Sequence, residues 1–351
     1  MTFHENPQSF GPPSPGLAEE YRIMSPRLRF RAALERKPVE GHVPHFELEV
    51  FHTMEVLGRV HPWHRNYALW PQMTEGERQL HRLDMARMRV AMAERFNHYA
   101  IVLNCNPGGL DEELRMLDLV LRFAGDRFFI ILPGDATMAI PAGDDMVDLS
   151  ARMAEDGEVL DAELARQVDD QIARVEKLRE HGGIDGLHMT SDYCLNTGPF
   201  LSPRLFGRFV TPHLTRLITA YRQMGLLTIK HTDGNIMPIL DGLVEAGPDA
   251  LHSLDPQAGV DIAEVVRRAG DKVALCGNVN CGLLQTGTDE ACVESARHAL
   301  REGMKAPGYI FCTSNCVYTG MPLSRYELIL DVWMREGIRS HVDVCGTHGT
   351  V

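Results

Sequence analysis

The sequence predicts an α/β fold, specifically a single (β/α)8 TIM-type barrel with an N-terminal extension. Three observations predict it. Short apolar runs alternate with longer amphipathic segments, as buried parallel strands joined by helices do. The alternation gives eight strand candidates, and none is followed by GxGxxG, so a closed barrel fits better than an open doubly wound sheet. The length, 351 residues, is ordinary for a barrel with an extension.

Residues 1–24 are proline-rich, poor in apolar side chains, and read as an irregular arm. A helix follows through MSPRLRFRAALERK, with Ser25 as N-cap and Pro26 at its first position. Strands are expected at VPHFELEV (43–50), YAIVLN (99–104), FFIIL (128–132), DGLHM (185–189), LLTIKH (226–231), DALHSL (249–254), KVALCG (272–277) and GYIFCT (308–313). Helices are expected at 73–96, up to about Glu180, and through SPRLFGRFVTPHLTRLITAYRQM, MPILDGLVEAG, IAEVVRRAG and DEACVESARHALREG. Residues 25–340 show no linker and no repeat and read as one barrel domain. Residues 341–351 read as a flexible tail.

Composition narrows the function. A formal net charge of −13 repels phosphate backbones, and no basic run offsets it, so nucleic acid is not an expected partner. No apolar stretch is long enough to span a membrane. The eight cysteines form no CxxC pair, and no secretion signal precedes them. They read as reduced thiols of a cytoplasmic protein.

In such a barrel, chemistry sits where the strands end. Polar residues cluster there: Glu47 and Glu49, Asn104 and Asn106, Asp135, then His188, Ser191, Asp192 and Tyr193. His231, Asp233, Asn235, Asp255, Asn278, Asn280, Ser314, Asn315 and Cys316 complete the set. This convergence argues for an enzyme over a binding module. The sharpest feature is IKHTDGN (229–235): a strand delivers His231 and Asp233 with the same facing, then Gly234 and Asn235 turn the chain. Such a pair shares a metal or moves a proton. The competing reading makes Asp233 a helix cap and His231 a hydrogen-bonding neighbour.

Asp192 is a candidate acid, base or ligand, or else an Asx-turn residue. Glu47 and Glu49 share a face, so one could enter the mouth or both close the barrel through ion pairs. Glu47, His188, Met189, Tyr193, Asn280 and Asn315 are candidate substrate contacts; the two asparagines read as hydrogen-bonding or turn residues rather than catalysts. Met189 and Met237 flank the mouth and could line an apolar pocket. Cys312 and Cys316 invite zinc, but buried reduced thiols explain them as well. His341, Cys345 and His348 in the tail offer a weaker metal set.

The stretch from SDYCLNTGPFLSP through HTDGN, EAGPDALHSLDP and GNVN to GYIF resembles the uroporphyrinogen-decarboxylase superfamily over roughly residues 185–335. RFRAALERKPVEGHVPHFE resembles it loosely. The resemblance implies a barrel and one of two chemistries, decarboxylation or corrinoid-dependent methyl transfer. Decarboxylases of the superfamily carry arginines near the first strand to bind the porphyrinogen carboxylates. PHFELEVF offers two acids there instead, which speaks against a polyanionic substrate. Its coenzyme M methyltransferases bind zinc through His-x-Cys and a later Cys; here the matching positions are His231, Asp233 and Asn315, with Cys316 adjacent. Zinc at an altered nitrogen and oxygen site of His231 and Asp233 stays open.

The remaining option resembles the first methyltransferases of corrinoid-dependent systems, which implies a methyltransferase of the O-demethylase type, moving a methyl group from a small, methoxylated aromatic to a corrinoid (cobalamin-type) protein. His231, Asp233 and Asp192 would be its catalytic residues. The alternatives are a uroporphyrinogen or small-acid decarboxylase and a non-catalytic corrinoid-binding barrel. Expected partners are the corrinoid protein and the methyl donor, and a homodimer is compatible with all three readings.

Overall fold

A computed structural model describes residues 24–38, 40–143 and 145–340. The arm expected over 1–24 falls almost wholly outside the described residues. So do the tail at 341–351 and its metal candidates His341, Cys345 and His348.

Among the described residues, seven parallel strands form the central sheet: β1 (Ala100–Val102), β2 (Phe129–Pro133), β3 (Gly186–Met189), β4 (Leu227–His231), β5 (Ala250–His252), β6 (Ala274–Cys276) and β7 (Tyr309–Ile310). They neighbour one another in chain order from β1 to β7. Each is a short apolar run because both faces are covered. Ala100, Val102, Phe129, Ile131, Ile229, Ala250, Ala274, Cys276 and Ile310 share one buried cluster with Phe30, Phe46 and Leu48. The helices pack outside on a second, larger cluster.

The first expected strand closes the ring without a continuous ladder. Pro44 O accepts from Phe311 N at 2.9 Å, and His45 O accepts from Tyr99 N at 2.7 Å. Further along, Glu49 O accepts from Val317 N and Phe51 N donates to Val317 O, both at 2.9 Å. The bridges are isolated, and Pro44 has no N–H to add to them. A two-residue antiparallel pair, Gly41–His42 with Ile338–Arg339, ties the start of the barrel to its end.

The opening helix is Pro26–Leu34, and Ser25 caps it by accepting from Leu28 N. The second long helix, Glu75–Arg95, starts with a capping box of Thr74 and Glu77. The expected helix from Ser202 to Met224 is two, Pro203–Phe209 and Thr211–Gln223, broken before Pro212. The helix expected from Met237 begins later, at Leu240, after a turn closed by Ile239 N on Ile236 O. Leu323–Glu336 adds a helix at the end, packed through Tyr326, Ile329 and Trp333. Among the described residues no helix is long and apolar enough to cross a membrane.

Candidate active site

β4 ends in His231, and the next two residues bring Asp233 back to the same side. Gly234 makes the turn: its φ is +80°, and a Cβ there would lie 2.6 Å from the carbonyl oxygens of Cys194 and Leu195. Asn235 N donates to Leu195 O at 3.0 Å, and Asn235 Oδ1 accepts from Met237 N at 3.1 Å. The turn is thereby held against the short Cys194–Leu195 strand.

Asp192 lies on the loop after β3. Its Oδ1 accepts from the backbone N–H of Asp233 at 2.9 Å and lies 3.8 Å from His231 Nε2. Asp233 Oδ1 lies 3.5 Å from the same nitrogen. Asp192, His231 and Asp233 each offer a ligand atom, all within 4.8 Å of one another. His231 is buried, whereas both carboxylates are partly exposed.

Each member is oriented from behind. Ser253 Oγ donates to Asp233 Oδ1 at 3.0 Å, and Asn315 Nδ2 donates to Asp233 Oδ2 at 2.5 Å. Ser253 holds φ at +83°, a rare conformation for a side chain-bearing residue, and it aims the hydroxyl at the carboxylate. His231 Nδ1 lies 2.8 Å from Nδ1 of His252, its partner across the β4–β5 ladder.

Electrostatics separates the three. Burial, aided by the Lys230 charge, pushes the His231 imidazole down to about 3, so the ring is neutral. Burial and the neighbouring Asp192 charge push Asp233 up to about 6. Asp233 is therefore the carboxyl here whose proton comes and goes near neutrality.

Under this cluster lies a buried ion pair. Lys230 Nζ donates to Asp135 Oδ2 at 2.8 Å and to the carbonyls of Ser191 (2.8 Å) and Met189 (3.3 Å). Lys230 thus fixes the segment that presents Asp192. Despite its burial, Asp135 is held down to about 2 by the Lys230 charge and bonds from Lys230, Thr137 and Ser191.

A cavity of about 260 Å³ opens beside His231. Leu48, Glu49, Phe51, Trp63, Asn104, His188, Thr190, Asn315, Cys316 and Tyr318 line it, with no arginine or lysine among the described residues. Phe51 stacks on Tyr318 (6.3 Å between ring centres) and meets Trp63 edge-on (6.2 Å). Neither ring nitrogen of His188 has a hydrogen-bond partner among the described residues. Arg89 stands behind Glu49 and is spent on it. His61 Nε2, 3.1 Å away, completes that triad.

The structure thus gathers His231, Asp233, Asp192, His188 and Asn315 around one mouth. It turns others elsewhere. Glu47 is buried against Thr313, accepting from its amide and hydroxyl. Met189 is fully buried in the core. Tyr193 bonds Thr137 and covers Lys230, its ring centre 4.1 Å from Nζ. Asn280 caps the helix Cys281–Thr286. Cys312 is fully buried, and no cysteine joins the candidate ligand cluster among the described residues. Sequence reasoning missed His252, Ser253 and the Lys230–Asp135 pair. Their signal was positional: His252 ends the strand after His231's, and Ser253 follows it.

The family model described as uroporphyrinogen decarboxylase (URO-D) matches residues 144–334, which hold Asp192, His231, Asp233 and Asn315. The chain belongs to the uroporphyrinogen decarboxylase family. A curated uroporphyrinogen decarboxylase from Anaeromyxobacter sp. (strain Fw109-5) is 29% identical over 123 residues. The match spans 35% of this chain and 34%, about a third, of that relative. In fold, this URO-D family member is similar to a methyltransferase from Methanosarcina mazei, with a TM-score of 0.68 and 18% identity. That likeness covers 89% of this chain and 99% of the other.

One imidazole nitrogen and two carboxylate oxygens suit a divalent first-row cation such as zinc. The far nitrogen of His231 is held by a neighbour, as that of a ligating histidine usually is. On its donor chemistry the cluster of this family member fits such an ion.

Proposed function

We propose that this chain moves a methyl group from a small, methoxylated aromatic donor to the cobalt of a separate corrinoid protein, with Asp233, His231 and Asp192 at the reacting ether. One observation carries the reading: an aromatic-walled cavity, lined by no arginine or lysine among the described residues, includes His231 and Asn315, both in reach of Asp233, a carboxyl whose proton is mobile near neutrality. A neutral ring fits that wall. A polycarboxylate would meet Glu49 in the cavity wall and Asp192 and Asp233 beside His231, and the guanidinium of Arg89 is already paired with Glu49, which favours this reading over porphyrinogen decarboxylation.

The reaction breaks the bond between methyl carbon and ether oxygen. The carbon goes to the reduced corrinoid, an acceptor substrate brought by the partner, and the oxygen keeps the electron pair and needs a proton. Asp233 supplies it, because burial and Asp192 leave it partly protonated near neutral pH. His231 stays neutral and positions the oxygen through Nε2. Phe51, Trp63 and Tyr318 hold the ring, and His188 offers its free nitrogens to a second polar substituent. A divalent cation held by Asp192, His231 and Asp233 would supply Lewis acidity to the same oxygen.

The test mixes the protein with a reduced corrinoid protein and a methoxyphenol and follows the change from the Co(I) to the methyl-Co(III) spectrum. Turnover should be at least about tenfold better for neutral methoxyphenols than for methoxybenzoates, whose charge the mouth repels. No spectral change across a broad donor panel with an authentic partner, or coproporphyrinogen formed from uroporphyrinogen, overturns the proposal.

A further inference from the structure

His231 and His252 approach through their Nδ1 atoms, 2.8 Å apart. A hydrogen bond between two imidazole nitrogens needs one proton between them, so one ring donates and the other accepts. Both rings are buried, and register pairing of β4 with β5 sets them opposite each other. Each carries one ring proton in its neutral form, which leaves two arrangements.

In the first, His252 donates. His231 then keeps its own proton on Nε2, where it faces Asp233 Oδ1 (3.5 Å) and Asp192 Oδ1 (3.8 Å). His252 presents a bare Nε2 to its surroundings, in which that atom has no hydrogen-bond partner among the described residues. The edge-on Phe46 ring lies close by, 5.8 Å between centres. An unpaired lone pair there leaves no donor unsatisfied.

In the second, His231 donates. Its Nε2 lone pair then faces two carboxylate oxygens, and His252 buries an unpaired Nε2–H. Both ends are unfavourable. A cation between Asp192, His231 and Asp233 reverses the balance, since it needs the Nε2 lone pair as ligand.

We infer that His252 is a positioning residue that presents His231 Nε2 to a divalent cation, and that the arrival of the cation exchanges the donor and acceptor roles of the two rings. Protons balance: His231 gives its Nε2 proton to solvent and gains one at Nδ1 from His252, and His252 takes one from solvent at Nε2 during a local opening. Both rings are neutral before and after, so the pair releases no net charge. Because the Nε2 of His252 has no partner, the pair is a clamp and not a relay leading away from the site. The inference rests on the cluster holding a cation, and its test needs neither methyl donor nor corrinoid protein.

The full chain is prepared with ¹⁵N-labelled histidine, stripped with a chelator, and titrated with Zn²⁺ alone. His231 and His252 are assigned through His231→Gln and His252→Gln. In the stripped protein His252 should show its proton on Nδ1 and His231 on Nε2. One equivalent of Zn²⁺ should shift the His231 Nε2 resonance and move the His252 proton to Nε2. In parallel, His252→Phe should weaken zinc binding roughly 10–100-fold, and His252→Gln, whose carbonyl accepts from Nδ1–H, should restore part of it. A His252 tautomer unchanged by bound zinc, an equal zinc affinity in His252→Phe, or no zinc binding overturns the inference. Should His252→Phe fail to fold, the wild-type spectra decide alone. A tautomer exchange without methyl transfer upholds the clamp and removes only the proposed activity.

Discussion

The carboxamide of Asn315 donates to Asp233 Oδ2, joining the loop after β7 to the end of β4 across the mouth of the barrel. The bond favours the charged carboxylate, so Asp233 sits lower than burial and Asp192 alone would hold it.

Asn315→Ala should therefore raise Asp233 above its value of about 6. As a proton donor Asp233 acts in its protonated form, so the rate is full below its pKa and falls as pH rises through it. In chelator-treated protein the falling limb of the transfer rate should move to higher pH in the variant. A limb that stays in place argues against Asp233 as the acid.

His188→Leu should separate binding from stability. The ring is buried with both nitrogens unpartnered, so leucine removes an unsatisfied polar group. Unfolding free energy should rise by about 1 kcal/mol, whereas affinity for a hydroxylated donor should fall about tenfold. Urea unfolding and quenching of tryptophan fluorescence, to which Trp63 at the cavity wall contributes, read the two effects.

Lys230→Met should cost about 3–5 kcal/mol, because it leaves Asp135 charged and buried without its partner. The carbonyls of Met189 and Ser191 lose their donor as well, so the Asp192 segment should loosen. Urea unfolding checks the first effect and hydrogen exchange at residues 190–193 the second.

Glu47 gives a pH dependence of opposite cause. Burial, which outweighs its bonds from Thr313, pushes it from 4.5 up to about 8. Between those values the folded state holds a proton the unfolded chain has lost, so its contribution is complete below about 4.5 and fades as pH rises through 8. Glu47→Gln should flatten the fall in Tm over that window. An unchanged slope would place the charge elsewhere.

Much of this was legible from alternation alone. The runs at 99–104, 128–132, 185–189, 226–231, 249–254, 272–277 and 308–313 each overlap a barrel strand, because a strand covered on both faces has few polar positions. Period two put His231 and Asp233 on one side before any coordinates. It did not separate Glu47 from Glu49: both share a face, but one meets Thr313 inside the wall and the other lines the cavity, and depth along a strand leaves no mark in a two-residue period. His252 was hidden for another reason. Its partnership depends on lateral register between strands, which no single segment encodes. Pro212 and the late helix start at Leu240 show local backbone chemistry overriding a longer amphipathic pattern.

The manner of ring closure also bears on biosynthesis. Residues 44–51 complete the circle only by meeting 311–317, and 41–42 only by meeting 338–339. A nascent chain not yet extended past residue 310 therefore has part of its circular wall already built but still unsealed, with bare edges on either side of the gap. Ribosome-stalled chains ending before residue 310 should be open to protease, and resistance should appear once residues 311–339 have emerged.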